Sequence, residues 1–273
     1  MIPFVKMQSL GNDILLLPHE VLLDKTQIQN LCHRRFGLGC DQLAMLGGRT
    51  EQGHYHLYFW NQDGSIARAC GNGTRCAVAF LWQQQGASSE KIQMEGLDTL
   101  WMGWKENDEQ VSVQQGEAKI GVIRQKDAHS FQSCPMLSLE SYGIPDGIPV
   151  DVGNAHLVVF SAPPPNLDAL GAALSCHPAF PHGVNLAFVD EDPLHVTFWE
   201  HGVGRTLSCG SGACAAAAAL CAIRRKEWPL EMAVPGGTLW VTQDQGQWIH
   251  TAPVSLAGYG WCAMPKQGSM GHG

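Results

Sequence analysis

The chain contains one of its own stretches twice: "FWNQDGSIARACGNGTRCAVAFL" at 59–81 returns as "FWEHGVGRTLSCGSGACAAAAAL" at 198–220, 139 residues later. In both copies a Phe-Trp pair precedes Cys-Gly-x-Gly by eleven positions, Phe59-Trp60 before Cys70 and Phe198-Trp199 before Cys209. "TLW" at 99–101 recurs at 238–240 with the same offset, and Gly11-Asn12 recurs 142 positions on as Gly153-Asn154. Landmarks kept in order at nearly constant spacing mark a duplication, so the chain is expected to fold as two similar halves, each the size of a small domain. The Pro/Gly/Ser-rich stretch at 141–151 is the expected crossover, giving a first half of 1–145 with Cys70 and a second of 146–273 with Cys209. The extreme C-terminal strand is free to return to the first half.

Short β-branched or aromatic runs at 111–114, 156–160, 195–200 and 238–243 read as strands. Helical signals lie at 26–36, 73–85, 166–175 and 212–226, the last closing on basic residues. The fold class is therefore α+β, in two pseudo-symmetric domains with one main helix packed in each; a barrel-like mixed sheet around that central helix, with the active site in the cleft between the domains, is the expected arrangement, which periodicity alone does not show.

Composition narrows the partners. A formal charge of -8 and pI near 5.8 give no general attraction to nucleic acid or acidic lipid, which leaves a small molecule. The absence of an 18-residue apolar run or an N-terminal signal pattern predicts a cytoplasmic, soluble chain whose ten cysteines are reduced. His33, His54, His56 and His195 lack paired ligand spacing, so no metal is expected. No lysine stands in a phosphate-cradling context, and no nucleotide signature is present; no cofactor is expected. The tail at 265–273 is expected to be unordered.

The chemistry sits where each copy opens a helix on Cys-Gly-x-Gly. Free amides at a helix N-terminus attract a carboxylate and stabilise a thiolate. Two equivalent thiols facing one substrate can remove a proton from one face of a carbon and deliver one to the other, the acid/base requirement of a racemase or epimerase. A working disulfide between Cys70 and Cys209, or a carboxylate-binding protein without turnover, uses the same two entrances and stands as the alternative. Cys76 and Cys214, further into the helices, read as packing residues.

From end to end the sequence resembles the diaminopimelate epimerase family: "KMQSLGND", "FGLGCDQL", "FWNQDGS" with "ACGNGTRC", "VGNAHLVVF", "FPHGVNLAFV" and "WEHGVGRTLSCGSGACA". The resemblance implies a cofactor-independent epimerase that converts LL- to meso-diaminopimelate in lysine and peptidoglycan precursor synthesis, and a homodimer is compatible with it. It makes Cys70 and Cys209 the acid/base pair and sets His156 beside one thiol and Glu200 beside the other. It implies a carboxylate cradle from the amides of Gly71-Asn72 and Gly210-Ser211, with Asn12, Gln42, Asn61, Asn154 and Asn185 as polar substrate contacts. The family usually has Arg where His201 stands here, at the position that holds the distal carboxylate; Gln8 and His182-Gly183 also depart from the pattern. Either Arg205 or another cation restores the lost charge, or the enzyme inverts another amino acid.

Overall fold

The computed structural model describes residues 1–85, 91–96 and 100–263. Thr99 of the first "TLW" and the tail at 265–273 lie outside them. The chain forms two compact units, one made of Met1–Val113 with the segment from Ala252 onward, the other of Gln114–Thr251. The division falls after Val113 rather than near residue 145. Ile123 and Leu139 pack into one core with Leu157, Leu186 and Phe188, so residues 114–145 are bound to the second half by burial. The stretch read as a crossover is a 3-10 turn, Glu140–Tyr142, followed by a fully buried strand, Gly147–Asp151.

Among the described residues four α-helices serve the two units: α1 (Lys25–Cys32) and α2 (Gly71–Gln85) in the first, α3 (Leu167–Ser175) and α4 (Gly210–Arg224) in the second. In the first unit, Ser255–Cys262 pairs antiparallel with Ile2–Ser9, which pairs antiparallel with Asn12–Leu17. Asn12–Leu17 then runs parallel to Gln42–Arg49, the connection carrying α1. Gln42–Arg49 is antiparallel to Tyr55–Asn61, which runs parallel to Ile92–Glu95 after α2, and Leu100–Lys105 closes a last hairpin.

The second unit repeats this order. Gly147–Asp151 and Ala155–Val159 form a hairpin, and Ala155–Val159 runs parallel to Asn185–Glu191 around α3. Asn185–Glu191 pairs antiparallel with Leu194–Glu200, which bridges in parallel to Leu230–Val234 after α4; Gly237–Asp244 follows antiparallel. The duplication read from a few motifs is thus a duplication of the whole strand order.

Strand alternation decides what covers each face. In the first unit Val5, Met7, Ile14, Leu16, Ala44, Leu46, Leu57 and Phe59 point at Cys76, Ala77, Val78 and Leu81 of α2. Their neighbours Leu15, Leu17, Leu43 and Met45 point the other way, at Ile28, Leu31 and Cys32 of α1. The sheet therefore wraps α2 as its inner helix. In the second unit the run Ala213–Leu220 of α4 is wholly buried, and its small side chains let the surrounding strands come close to a helix built from the strongest helix former. Cys76 and Cys214 are buried packing residues, as expected.

Helix ends differ from the expected ones at two kinds of position. Helix α1 stops at Cys32 instead of reaching residue 36, because the amides of Leu38 and Gly39 return to the carbonyl of Leu31 and His33 turns to extended backbone. Helices α2 and α4 start two residues earlier than expected, so the glycines of Cys-Gly-x-Gly lie inside the first turn and each cysteine caps it.

The second glycine of each motif has a steric reason. A Cβ on Gly73 would come within 2.5 Å of Phe59 Cε1, and one on Gly212 within 2.9 Å of Phe198 Cδ1 and Cε1. The phenylalanine of each Phe-Trp strand therefore seats against the glycine of its own helix entrance. Gly→Ala at an open helical site stabilises by about 0.5–1 kcal/mol. Here we expect the opposite: Gly73→Ala lowers stability by about 1–3 kcal/mol, read as a lower urea midpoint, with Gly212→Ala changing in the same direction by less. An unchanged or raised midpoint for Gly73→Ala would refute the contact.

Candidate active site

Each unit presents its cysteine in the same way. The Cys70 carbonyl accepts the Thr74 amide at 2.8 Å and its Sγ accepts the Gly73 amide at 3.1 Å, so the thiol itself caps α2. The Cys209 carbonyl accepts the Ala213 amide at 2.9 Å, and its Sγ lies 3.5 Å from Ser211 Oγ. Both cysteines are buried. Gly71 and Gly210 open the two helices, where the unpaired amides of the first turn gather.

The surroundings of the two thiols differ. Glu200, at the end of Leu194–Glu200, hydrogen-bonds the Cys209 thiol and accepts from Thr206 Oγ1 at 2.7 Å. Withdrawal from solvent pushes the Glu200 carboxyl up, and its bonds to Thr206 and Cys209 pull it back down. Cys209 itself is raised well above the ordinary thiol value, first by burial and then by the charge of Glu200; Ser211 and the Gly212 amide act in the opposite direction. The helix entrance was expected to favour a thiolate, and at Cys209 that effect is outweighed. The thiol is held protonated, which suits a proton donor.

In the repeat Glu200 corresponds to Asn61, and His156 to Ile14, at the 139- and 142-residue offsets of the duplication. The copies share the cysteine, its glycines, the Phe-Trp pair and Asn12/Asn154, whereas the carboxylate and the imidazole belong to the second copy alone. His156 is fully buried, and burial depresses it to about 4, so it is neutral at physiological pH. Its Nε2 lies 3.1 Å from both Asn154 Oδ1 and Ser211 Oγ. Within the second unit Glu200 reaches Cys209 directly, and His156 is linked to it through Ser211.

The amide residues divide between the units. In the first, Gln42 and Asn61 stand opposite each other, joined from Gln42 Nε2 to Asn61 Oδ1 at 3.2 Å, and Asn61 Nδ2 reaches Ser65 Oγ at 3.0 Å. Asn12 Oδ1 and Gln42 Oε1 are buried acceptors with no hydrogen-bond partner among the described residues, a costly state. The Asn72 side chain is committed to Arg75, whose Nε also donates to Ser9 Oγ at 2.9 Å.

In the second unit Asn185 sits beside His156 in parallel register, and its Oδ1 accepts the His201 amide at 2.9 Å. The His201 imidazole is exposed and lies over Gly183, where a Cβ would come within 2.6 Å of the ring. Arg205 is engaged with Asp168 at 2.6 Å on the surface. Sequence reading missed Arg75, a fully buried arginine whose signal is a charge set inside the apolar helix "TRCAVAF". It also missed His250, whose buried ring packs on Gly210; nothing in "WIHTAP" marks it.

Known proteins agree with this architecture. A solved hydroxyproline epimerase from Agrobacterium vitis, with trans-4-hydroxy-L-proline bound, superposes with a TM-score of 0.66 over 95% of this chain and 90% of that one, at 13% identity. A predicted epimerase from Pseudomonas aeruginosa shares the same fold, with a TM-score of 0.67 over 95% of this chain and 98% of that one, at 15% identity. The sequence model of diaminopimelate epimerase matches residues 4–121 and 148–255. Diaminopimelate epimerase of Xanthomonas axonopodis pv. citri is 34% identical over 268 residues, 92% of each chain, and that of Gluconobacter oxydans 34% over 270 residues, 95% of this chain and 98% of its own. The chain belongs to the diaminopimelate epimerase family and is an isomerase. None of its described helices is long and apolar enough to cross a membrane.

Glu200 should control the ionisation of Cys209. In Glu200→Gln the carboxylate charge that disfavours the thiolate is gone, so the Cys209 midpoint moves down while burial keeps it above the ordinary thiol value. Alkylation of the Cys209 peptide by iodoacetamide at fixed pH, followed by mass spectrometry, should be faster in the variant. Unchanged or slower alkylation contradicts the assignment.

Proposed function

We propose that the protein inverts the α-carbon of an amino acid without a cofactor, converting LL- to meso-diaminopimelate. One thiolate takes the α-proton from one face, and the other thiol gives a proton to the opposite face of the resulting carbanion. Charge and protons balance, because the first cysteine ends as a thiol and the second as a thiolate; the return reaction exchanges the roles. The observation that carries this reading is the pair of helices α2 and α4, each opening on a buried cysteine at its cap.

Further support comes from Cys209, which burial and Glu200 hold as the proton-bearing partner. Amides of the two helix entrances suit the α-carboxylate, and the unpartnered acceptors of Asn12 and Gln42 suit an ammonium. A reducing, cytoplasmic setting suits ten thiols of which two must stay free.

A second reading has its own observation. His201 stands where the family has Arg, and Arg205 is paired with Asp168. An imidazole does not reproduce a bidentate guanidinium, so a substrate without a distal carboxylate is the competing choice.

The test is turnover of LL-diaminopimelate and a panel of L-amino acids by purified protein, with Cys70→Ala and Cys209→Ala. We expect turnover of diaminopimelate and its loss by at least about 10²–10⁴-fold in each variant. Racemisation of a monocarboxylic amino acid with none of diaminopimelate would overturn the substrate assignment, and unimpaired cysteine variants the mechanism.

A further inference from the structure

We infer that Arg124 and Asp151, an ion pair remote from any reacting atom, are positioning residues for Cys209. The inference rests on the two-thiol function proposed above and concerns how one thiol is held.

Asp151 ends the strand Gly147–Asp151 and is almost completely buried. A buried carboxylate without a partner is costly. Arg124, at the end of Val122–Arg124, supplies one through both Nε, at 2.8 Å, and NH2. The planar fork fixes the carboxylate in orientation as well as in place. Asp151 Oδ1 also accepts the Gly153 amide at 3.1 Å, and the Val152 amide reaches the Asn154 carbonyl at 3.2 Å. Gly153 takes φ +102, a left-handed value that glycine adopts readily. The clamp thus sets the turn that delivers Asn154 and His156.

From that turn the hydrogen bonds run on to the thiol. Asn154 Oδ1 lies 3.1 Å from His156 Nε2, the same nitrogen lies 3.1 Å from Ser211 Oγ, and Ser211 Oγ lies 3.5 Å from Cys209 Sγ. His156 Nδ1 is buried without a partner among the described residues, so the proton of the neutral ring belongs on Nε2, where both neighbours can accept it. Ser211, accepting from the imidazole, then has its own hydrogen for the sulfur. It donates to the thiolate as that forms and loses nothing when the thiol is protonated. The groups facing this end of α4 are Glu200 from Leu194–Glu200, His156 from Ala155–Val159 and His250 from Gln247–Pro253. In the first copy the position of His156 is held by Ile14, so Cys70 has no corresponding imidazole link.

The experiment follows alkylation of Cys209 and Cys70 peptides in the same sample of full-length protein, across pH, in wild type, Arg124→Gln, Arg124→Lys and Ser211→Ala. Loss of a hydrogen bond to a charged group corresponds to about a tenfold change. We expect Cys209 alkylation at fixed pH to slow by about that factor in Arg124→Gln and Ser211→Ala, Cys70 to be unmoved, and Arg124→Lys, which keeps the charge but not the fork, to fall between Arg124→Gln and the wild type. Where turnover is measurable, kcat should fall with KM nearly unchanged. Equal shifts of both cysteines, or none in either folded variant, overturn the inference. If Arg124→Gln does not fold, Arg124→Lys, which keeps the charge and loses the fork, decides; Cys209 alkylation at the wild-type rate in a folded Arg124 variant overturns the inference whatever Ser211→Ala does. Failure of the wild type to turn over any amino acid would defeat the proposed function and leave the thiol result standing.

Discussion

Everything in each unit follows from seating a helix against the strand that precedes it. Phe59 on Gly73 and Phe198 on Gly212 bring the first turn of α2 and α4 into the sheet, and only a residue without a Cβ allows that approach. The cysteine three positions earlier is thereby carried to the helix cap, where its carbonyl begins the helix and its sulfur meets first-turn amides. Packing and chemistry share one motif. The glycines expected to admit a carboxylate are divided in their work: the first opens the helix, and the second admits a phenyl ring.

The duplication gives two equivalent thiols, and divergence makes them unequal. Cys209 is raised by burial and by Glu200, and linked through Ser211 to a neutral His156. At the corresponding positions the first copy carries Asn61 and Ile14. An acid/base pair must begin in opposite protonation states. Surrounding one thiol with a carboxylate, in a place where solvent cannot screen it, is a direct way to set that difference.

Much of this was legible in the sequence. The paired helices announced themselves through alanine and leucine runs behind Cys-Gly, and α1 and α3 through their spacing. The repeat foretold a strand order shared by both units. What escaped depends on contacts between distant residues. Nothing local shows that Ile123 and Leu139 are buried with Leu157 and Phe188, which moves the division of the chain to Val113. Nor does any motif reveal that Arg75 is enclosed, that His250 packs on Gly210, or that Arg124 meets Asp151. The sign of the Cys209 shift was misread because the helix terminus is visible in sequence, whereas burial and the approach of Glu200 are not.

The account turns on two bases acting on opposite faces of one carbon. Conversion of LL-diaminopimelate in D2O, sampled over the first turnovers, tests this most directly. Two monoprotic thiols predict one deuterium at the inverted carbon of the product, and recovered substrate that still carries protium there. Deuterium entering recovered substrate as fast as product, from the earliest samples, would mean that a single base serves both faces and would contradict the assignment of Cys70 and Cys209 as partners.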